Sequence, residues 1–187
     1  MQVEHKKLIL KAELLIVIGI FFSITASFIF FREEMQWFAE WMVEQFGIFG
    51  LFILTLIMDT IIQPISPDML TMGYSMADLN VLTVSLVGGI ASVIAGFLGY
   101  TIGYFLEGKG IDKFIGRERY QKAHLLFVKH GFWAILIGSI SPIPFSAICW
   151  SAGVFKMPWK FFCISVIMTR LPRFFLAGYI GTLVSLG

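Results

Sequence analysis

The chain has 187 residues, 58% of them apolar and only 14% charged, with a mean hydropathy of +0.85. Soluble domains are about half apolar and about a quarter charged, so a soluble enzyme, a disordered chain and an ordinary nucleic-acid-binding domain are all excluded. The formal net charge of +2 is too small to point to a partner, and the length suits one domain.

Residues 14–31, LLIVIGIFFSITASFIFF, carry no charge and follow Lys6, Lys7 and Lys11. At ~1.5 Å per residue such a run nearly matches a ~30 Å hydrocarbon core. A cleaved signal peptide is the alternative, but the run enters Phe30-Phe31-Arg32 without a small-x-small site. The expectation is a retained anchor over residues 1–31, followed by one membrane domain over 32–187.

Residues 32–46, REEMQWFAEWMVEQF, interleave Glu33, Glu40 and Glu44 with Trp37, Phe38, Trp41, Met42 and Phe46. Helical spacing of the apolar positions predicts an amphipathic helix at the water–lipid interface. The apolar run 45–58 stops at Asp59, and Gln63-Pro64-Ile65-Ser66-Pro67-Asp68 follows before Met69-Leu70 and Met72-Gly73-Tyr74. The run is too short to cross comfortably, and two prolines three apart break a helix. The segment therefore reads as a re-entrant hairpin, whose broken backbone must sit inside protein or beside water.

Residues 79–106 are uncharged and studded with Gly88, Gly89, Gly96, Gly99 and Gly103. Gly99-x-x-x-Gly103 and Gly89-x-x-Ser92-x-x-x-Gly96 present small faces for close packing of a spanning helix. Residues 107–130 hold six Lys or Arg against Glu107, Asp112 and Glu118. Such a run enforces topology or binds anionic lipid, and His124 and His130 within it read as solvated. Residues 131–155 are uncharged around Ser139-Ile140-Ser141-Pro142-Ile143-Pro144-Phe145-Ser146, a second half-helix, break and return. The last span, near 158–187, carries Arg170, Pro172 and Arg173 in otherwise apolar sequence. Cys149 and Cys163 lie in apolar surroundings and read as inert thiols.

The two parts match in order. Residues 32–107 read as interfacial helix, proline-broken hairpin and Gly-rich span; residues 108–187 read as basic amphipathic segment, proline-broken hairpin and final span. The fold class expected is an all-α polytopic membrane protein, an inverted repeat with two opposed hairpins. Paired Pro-interrupted apolar segments point to a transporter-like site. Positive residues stay cytoplasmic, which puts the N-terminus inside, 32–46 outside, 107–130 inside and the C-terminus outside. The hairpins then enter from opposite faces.

The stretch from Asp59 through Pro64-x-x-Pro67-Asp68 to Gly73 resembles the first signature of the DedA family, also called the VTT or SNARE-associated Golgi domain. Gly131-Phe132-Trp133, Pro142-Ile143-Pro144-Phe145 and Ala152-Gly153 resemble its second, and Gly96, Gly99, Tyr100 and Gly103 its intervening span. The order and spacing of these motifs carry the match, over about residues 45–185. The resemblance implies opposed re-entrant loops and transmembrane lipid movement. In eukaryotic relatives that is phospholipid scrambling; in bacterial ones it is polyprenyl-phosphate recycling that depends on the proton-motive force. Two acids of the first hairpin are implicated, and Asp59 and Asp68 stand at matching places. Ser139 and Phe145 stand where well-studied bacterial members carry arginines, so this chain is a divergent member with Arg170 and Arg173 in its last span instead.

For Asp59 and Asp68 the functional reading is a proton-titratable pair or a headgroup site. The structural one is a helix cap at Asp68 and an Asp59 pair with Arg170 or Arg173. The arginines, three apart on one face, could clamp phosphate with their forked donors, balance the acids, or snorkel. Pro64, Pro67, Pro142 and Pro144 shape the hairpin tips, and exposed half-helix N-termini attract anions. Gly89, Gly96, Gly99 and Gly103 serve packing. The expected function is translocation of a phospholipid or polyprenyl phosphate, as flippase, scramblase or proton-linked carrier. The alternative is a scaffold or envelope-integrity factor without transport.

An enzyme is not expected: no His lies at membrane depth beside Gly138-Ser139-Ile140-Ser141, and no His/Glu zinc set is visible. No cofactor, metal or nucleic acid is expected. Membrane lipid is the partner, with protons and a second copy of the chain left open. The expected location is a bacterial or archaeal plasma membrane.

Overall fold

A computed structural model of the chain describes residues 32–61, 67–77, 79–106, 117–140 and 144–185. The anchor read at 14–31 lies outside the described residues, as do Pro64 and Pro142. The chain divides into two units, residues 1–37 and 38–187. The opening of the first helix belongs to the former, and everything below to the latter.

The described residues form helices and no strand. In chain order they are α1 (Arg32–Thr60), α2 (Asp68–Met76), α3 (Val81–Leu106), α4 (Arg117–Ile140), α5 (Phe145–Val154) and α6 (Trp159–Ser185). Three stretches are long and apolar enough to cross a membrane: Glu40–Thr60, Val81–Leu106 and Trp159–Ser185.

α1 is kinked at Gly47, whose φ of 53° is left-handed. A residue with a Cβ avoids that region, so the glycine sits where the amphipathic stretch gives way to the apolar one. Phe38, Trp41 and Phe46 are exposed before the kink, while Met42 is buried. The two halves differ here. The described end of the basic segment, from Arg117 on, and the apolar half-helix that follows it form one unbroken helix, α4, in which Gly131 keeps helical geometry. Gly131 instead lets Met157 close in; a Cβ there would come within 2.7 Å of its sulfur.

Pro67 and Pro144 immediately precede α2 and α5, where a missing N–H removes no helical bond. Their carbonyls accept the first bonds of those helices, from Thr71 and from Ala147 and Ile148. The Tyr74 hydroxyl of α2 ends beside Gly50 of α1. α5 turns back along α4, where Phe155 stacks on Phe127 with ring centroids 5.2 Å apart. The His124 Nδ1 also meets the Phe155 carbonyl at 2.7 Å. This corrects the reading of His124 as solvated: it ties the end of α5 to α4, whereas His130 is exposed.

α3 and α6 form the antiparallel centre: Gly89 lies by Leu171, Gly88 by Phe174 and Gly178 by Ser85. α3 buries its small residues, with Ser85, Gly88, Ser92, Ala95, Gly99 and Gly103 on one face. Leu82, Leu86, Ile90, Ile94 and Leu98, one turn apart, are exposed on the other. Small residues inward and large apolar ones outward suit a helix whose solvent is lipid. α2 packs chiefly on α6, and α5 chiefly on α3. Each short helix thus leans on the long helix of the opposite half.

Candidate functional site

Both proline-marked breaks end near one buried ion pair. Asp59 closes α1 and is 4% exposed; Arg170, midway along α6, is 1% exposed. The Arg170 Nη2 donates to Asp59 Oδ2 at 2.7 Å, and the Ser92 hydroxyl of α3 donates to the same oxygen. The Arg170 guanidinium carbon lies over the Phe145 ring, 3.5 Å from its centroid, and 5.9 Å from that of Phe174. Phe145 opens α5. Its neighbour Trp150 donates from Nε1 to the Thr60 carbonyl at 3.0 Å, joining α5 to the end of α1. A cation on an aromatic face, with a carboxylate accepting from one of its N–H groups, can be held away from water at tolerable cost.

A second pair lies beside the first. Arg173 donates from Nε to Asp68 Oδ2 at 2.6 Å. Here the side chains are 38% and 15% exposed. Asp68 is in the first turn of α2, where a negative charge also meets the positive end of the helix dipole. Between the arginines stands Pro172, exposed on the far face, and α6 continues through it. One arginine is therefore sealed and the other open, on the same face of one helix.

All four charged candidates, Asp59, Asp68, Arg170 and Arg173, come together. Of the tip prolines, Pro67 and Pro144 cap the returning helices. The packing glycines do different amounts. A Cβ on Gly89 would meet Leu171 at 2.9 Å, on Gly96 the Phe145 ring and Val166 at 3.2 Å, and on Gly99 Trp150 at 3.1 Å. On Gly103 it would fall on the Trp150 carbonyl oxygen.

Sequence reasoning missed Ser92 as the hydroxyl partner of Asp59, having read it only as a small residue. It also missed Phe145 as the surface beneath Arg170, and Gly153 and Gly181 as contacts. A Cβ on Gly153 would strike the Tyr100 carbonyl, and on Gly181 that of Met72. Two free thiols complete the inventory: Cys149 is buried and Cys163 partly so. No group of three or more metal-ligating side chains occurs among the described residues.

A family model described as the VTT domain matches residues 63–183. An uncharacterised protein of Methanocaldococcus jannaschii is 28% identical over 132 residues, covering 71% of this chain and 82% of the relative. An uncharacterised protein of Haemophilus influenzae is 30% identical over 142 residues, covering 73% of each. No solved structure matches. With the model spanning most of the chain and every element around the two ion pairs except α1, the protein belongs to the VTT-domain (DedA) family of membrane proteins.

Proposed function

We propose that the protein moves a lipid with an anionic headgroup across the bilayer, and that the Asp59–Arg170 and Asp68–Arg173 pairs form the headgroup site. The observation that carries this reading is the pair geometry. Two arginines of α6 reach acids on either side of the first break, and one of them remains more than a third exposed. Arginine binds phosphate through forked donors, so a phosphate entering beside Arg173 competes with Asp68 for the same guanidinium. Arg170, sealed behind it, supplies fixed positive potential. Charges at membrane depth are costly and usually functional.

In this reading α1–α2 and α4–α5 are re-entrant hairpins entering from opposite faces. The straight part of α1 after Gly47 has 13 residues and would span only ~20 Å at ~1.5 Å per residue, short of a ~30 Å core. α3 and α6, at 26 and 27 residues, are long enough to cross. The charge asymmetry orients the N-terminus and residues 107–130 toward the cytoplasm of a plasma membrane.

The test is translocation of fluorescent lipids by purified protein in proteoliposomes, at several imposed pH gradients. Movement of many lipids regardless of gradient marks a scramblase; gradient-following movement of one headgroup marks a coupled carrier. Arg173→Ala is expected to leave a folded protein, because its partly exposed pair contributes little stability, and to slow movement of phosphate-bearing lipids severalfold. Unchanged movement in Arg173→Ala would remove it from the site. No movement by folded wild-type protein would favour a scaffold role.

A further inference from the structure

We propose that Thr55, Thr71, Ser75 and Ser85 line a hydrated seam, a site for a file of ordered water leading to the Asp59–Arg170 pair. The inference goes beyond the headgroup site and does not depend on which lipid moves.

The four hydroxyls come from α1, α2 and α3 and are at most 3% exposed. None of them has a hydrogen-bond partner in the protein, and neither does Arg170 Nε. This is not the habit of hydroxyls in these helices. Those of Thr60, Thr101, Ser151, Ser165, Thr169 and Thr182 all donate to a carbonyl one turn earlier. A buried polar group left without a partner costs about 1–3 kcal/mol. Several such groups in one place mark a site built for something that both donates and accepts.

Glycine contacts set three of the four hydroxyls along one stretch of α3. The Ser75 and Ser85 hydroxyls both lie beside the spot where a Gly178 Cβ would stand, close enough to each other to share one ligand. The Thr71 Oγ1 lies 2.8 Å from where a Gly88 Cβ would stand, and the Phe174 ring packs against the same glycine. Ser85 lies two turns before Ser92, and Thr55 one turn before Asp59, on the buried faces of their helices. The ladder therefore climbs ~10 Å along α3 and ends on the carboxylate that Ser92 and Arg170 share.

Water suits this lining better than a metal cation. The unpartnered Arg170 Nε is a donor and needs an acceptor, which a cation cannot be, and both guanidinium charges repel cations. The described core of the other half is built differently. Its core of Tyr100, Phe145, Ile148, Met157, Phe162 and Val166 is apolar, and the Tyr100 and Ser165 hydroxyls there donate to the Met157 and Phe161 carbonyls at 2.7 and 2.6 Å. Along a hydroxyl–water file each oxygen accepts a proton from one neighbour and releases one to the next. A proton so delivered would neutralise Asp59 and free the Arg170 guanidinium.

X-ray radiolysis of the protein in lipid nanodiscs, read by mass spectrometry, tests this without any transport assay. Ordered water yields hydroxyl radicals that label the side chains beside it. Phe174 and Phe162 are matched probes, both 0% exposed. Phe174 at the seam is expected to be oxidised severalfold faster than Phe162 in the apolar core. In Thr71→Val/Ser75→Ala/Ser85→Ala the Phe174 rate is expected to drop to that of Phe162. Equal rates in the wild type, or a Phe174 rate unchanged in a folded variant, would overturn the seam. Because the wild-type comparison stands alone, a variant that fails to fold does not remove the test. Failed lipid translocation with fast Phe174 labelling would discard the transport reading and keep the seam.

Discussion

Arg170→Ala is expected to destabilise the protein by about 3–5 kcal/mol, the range for removing one partner of a buried ion pair. The main cost is the charge left behind. Asp59 would keep only the Ser92 hydroxyl as a partner at that oxygen, at 4% exposure. Asp59→Asn is expected to cost less, since an amide oxygen still accepts from Arg170 while the arginine keeps its seat on Phe145. The informative variant is the double, Asp59→Leu with Arg170→Met. Apolar residues of similar volume can replace a buried pair with little loss, and the Met sulfur would rest on the Phe145 ring in a favourable contact. The double variant is expected to melt, in detergent, close to the wild type and well above Arg170→Ala. If it does, translocation separates the two readings of the pair. A stable double variant that moves no lipid marks Asp59 and Arg170 as functional; one that moves lipid normally marks them as a structural bolt. A double variant no more stable than the worse single would refute the ion-pair account itself.

That the four charges belonged to one site could be read from their rarity in apolar sequence. Which acid meets which arginine could not. The partners lie 111 and 105 residues apart, and hydropathy carries no register between distant helices. The order of broken and unbroken segments was legible because proline and charge interrupt an apolar run visibly. Gly47 and Gly131 stand at equivalent places before their hairpins, yet only Gly47 kinks its helix. The difference comes from what surrounds each, since Gly131 is held against Met157 and Gly47 has nothing within 4 Å of a Cβ position. The buried hydroxyls were illegible for another reason. Ser and Thr in an apolar helix ordinarily satisfy themselves on its own carbonyls, so only coordinates separate those that do from those that do not.

Gly103→Ala is expected to be worse than Gly96→Ala by roughly 1–3 kcal/mol, the usual cost of overpacking. The two substitutions look alike in sequence, as small residues on one face of α3. They differ in what the new methyl meets. At Gly96 it meets the Phe145 ring and a Val166 methyl at 3.2 Å, side chains that can give by a few tenths of an ångström. At Gly103 it falls on the Trp150 carbonyl, and backbone yields only if α5 moves bodily. Gly153 makes the same close approach from the other side, onto the Tyr100 carbonyl of α3. A shift of α5 carries Phe145 from beneath Arg170 and breaks the Trp150 bond to Thr60. Gly103→Ala should therefore impair translocation although it touches neither ion pair. Because one displacement relieves both clashes, Gly103→Ala/Gly153→Ala should cost clearly less than the sum of the two singles, as expected for sites sharing one backbone shift. Melting temperatures of the three variants and of Gly96→Ala decide it. Additive losses, or a Gly96 loss equal to that at Gly103, would mean that α3 and α5 are not in backbone contact in the membrane.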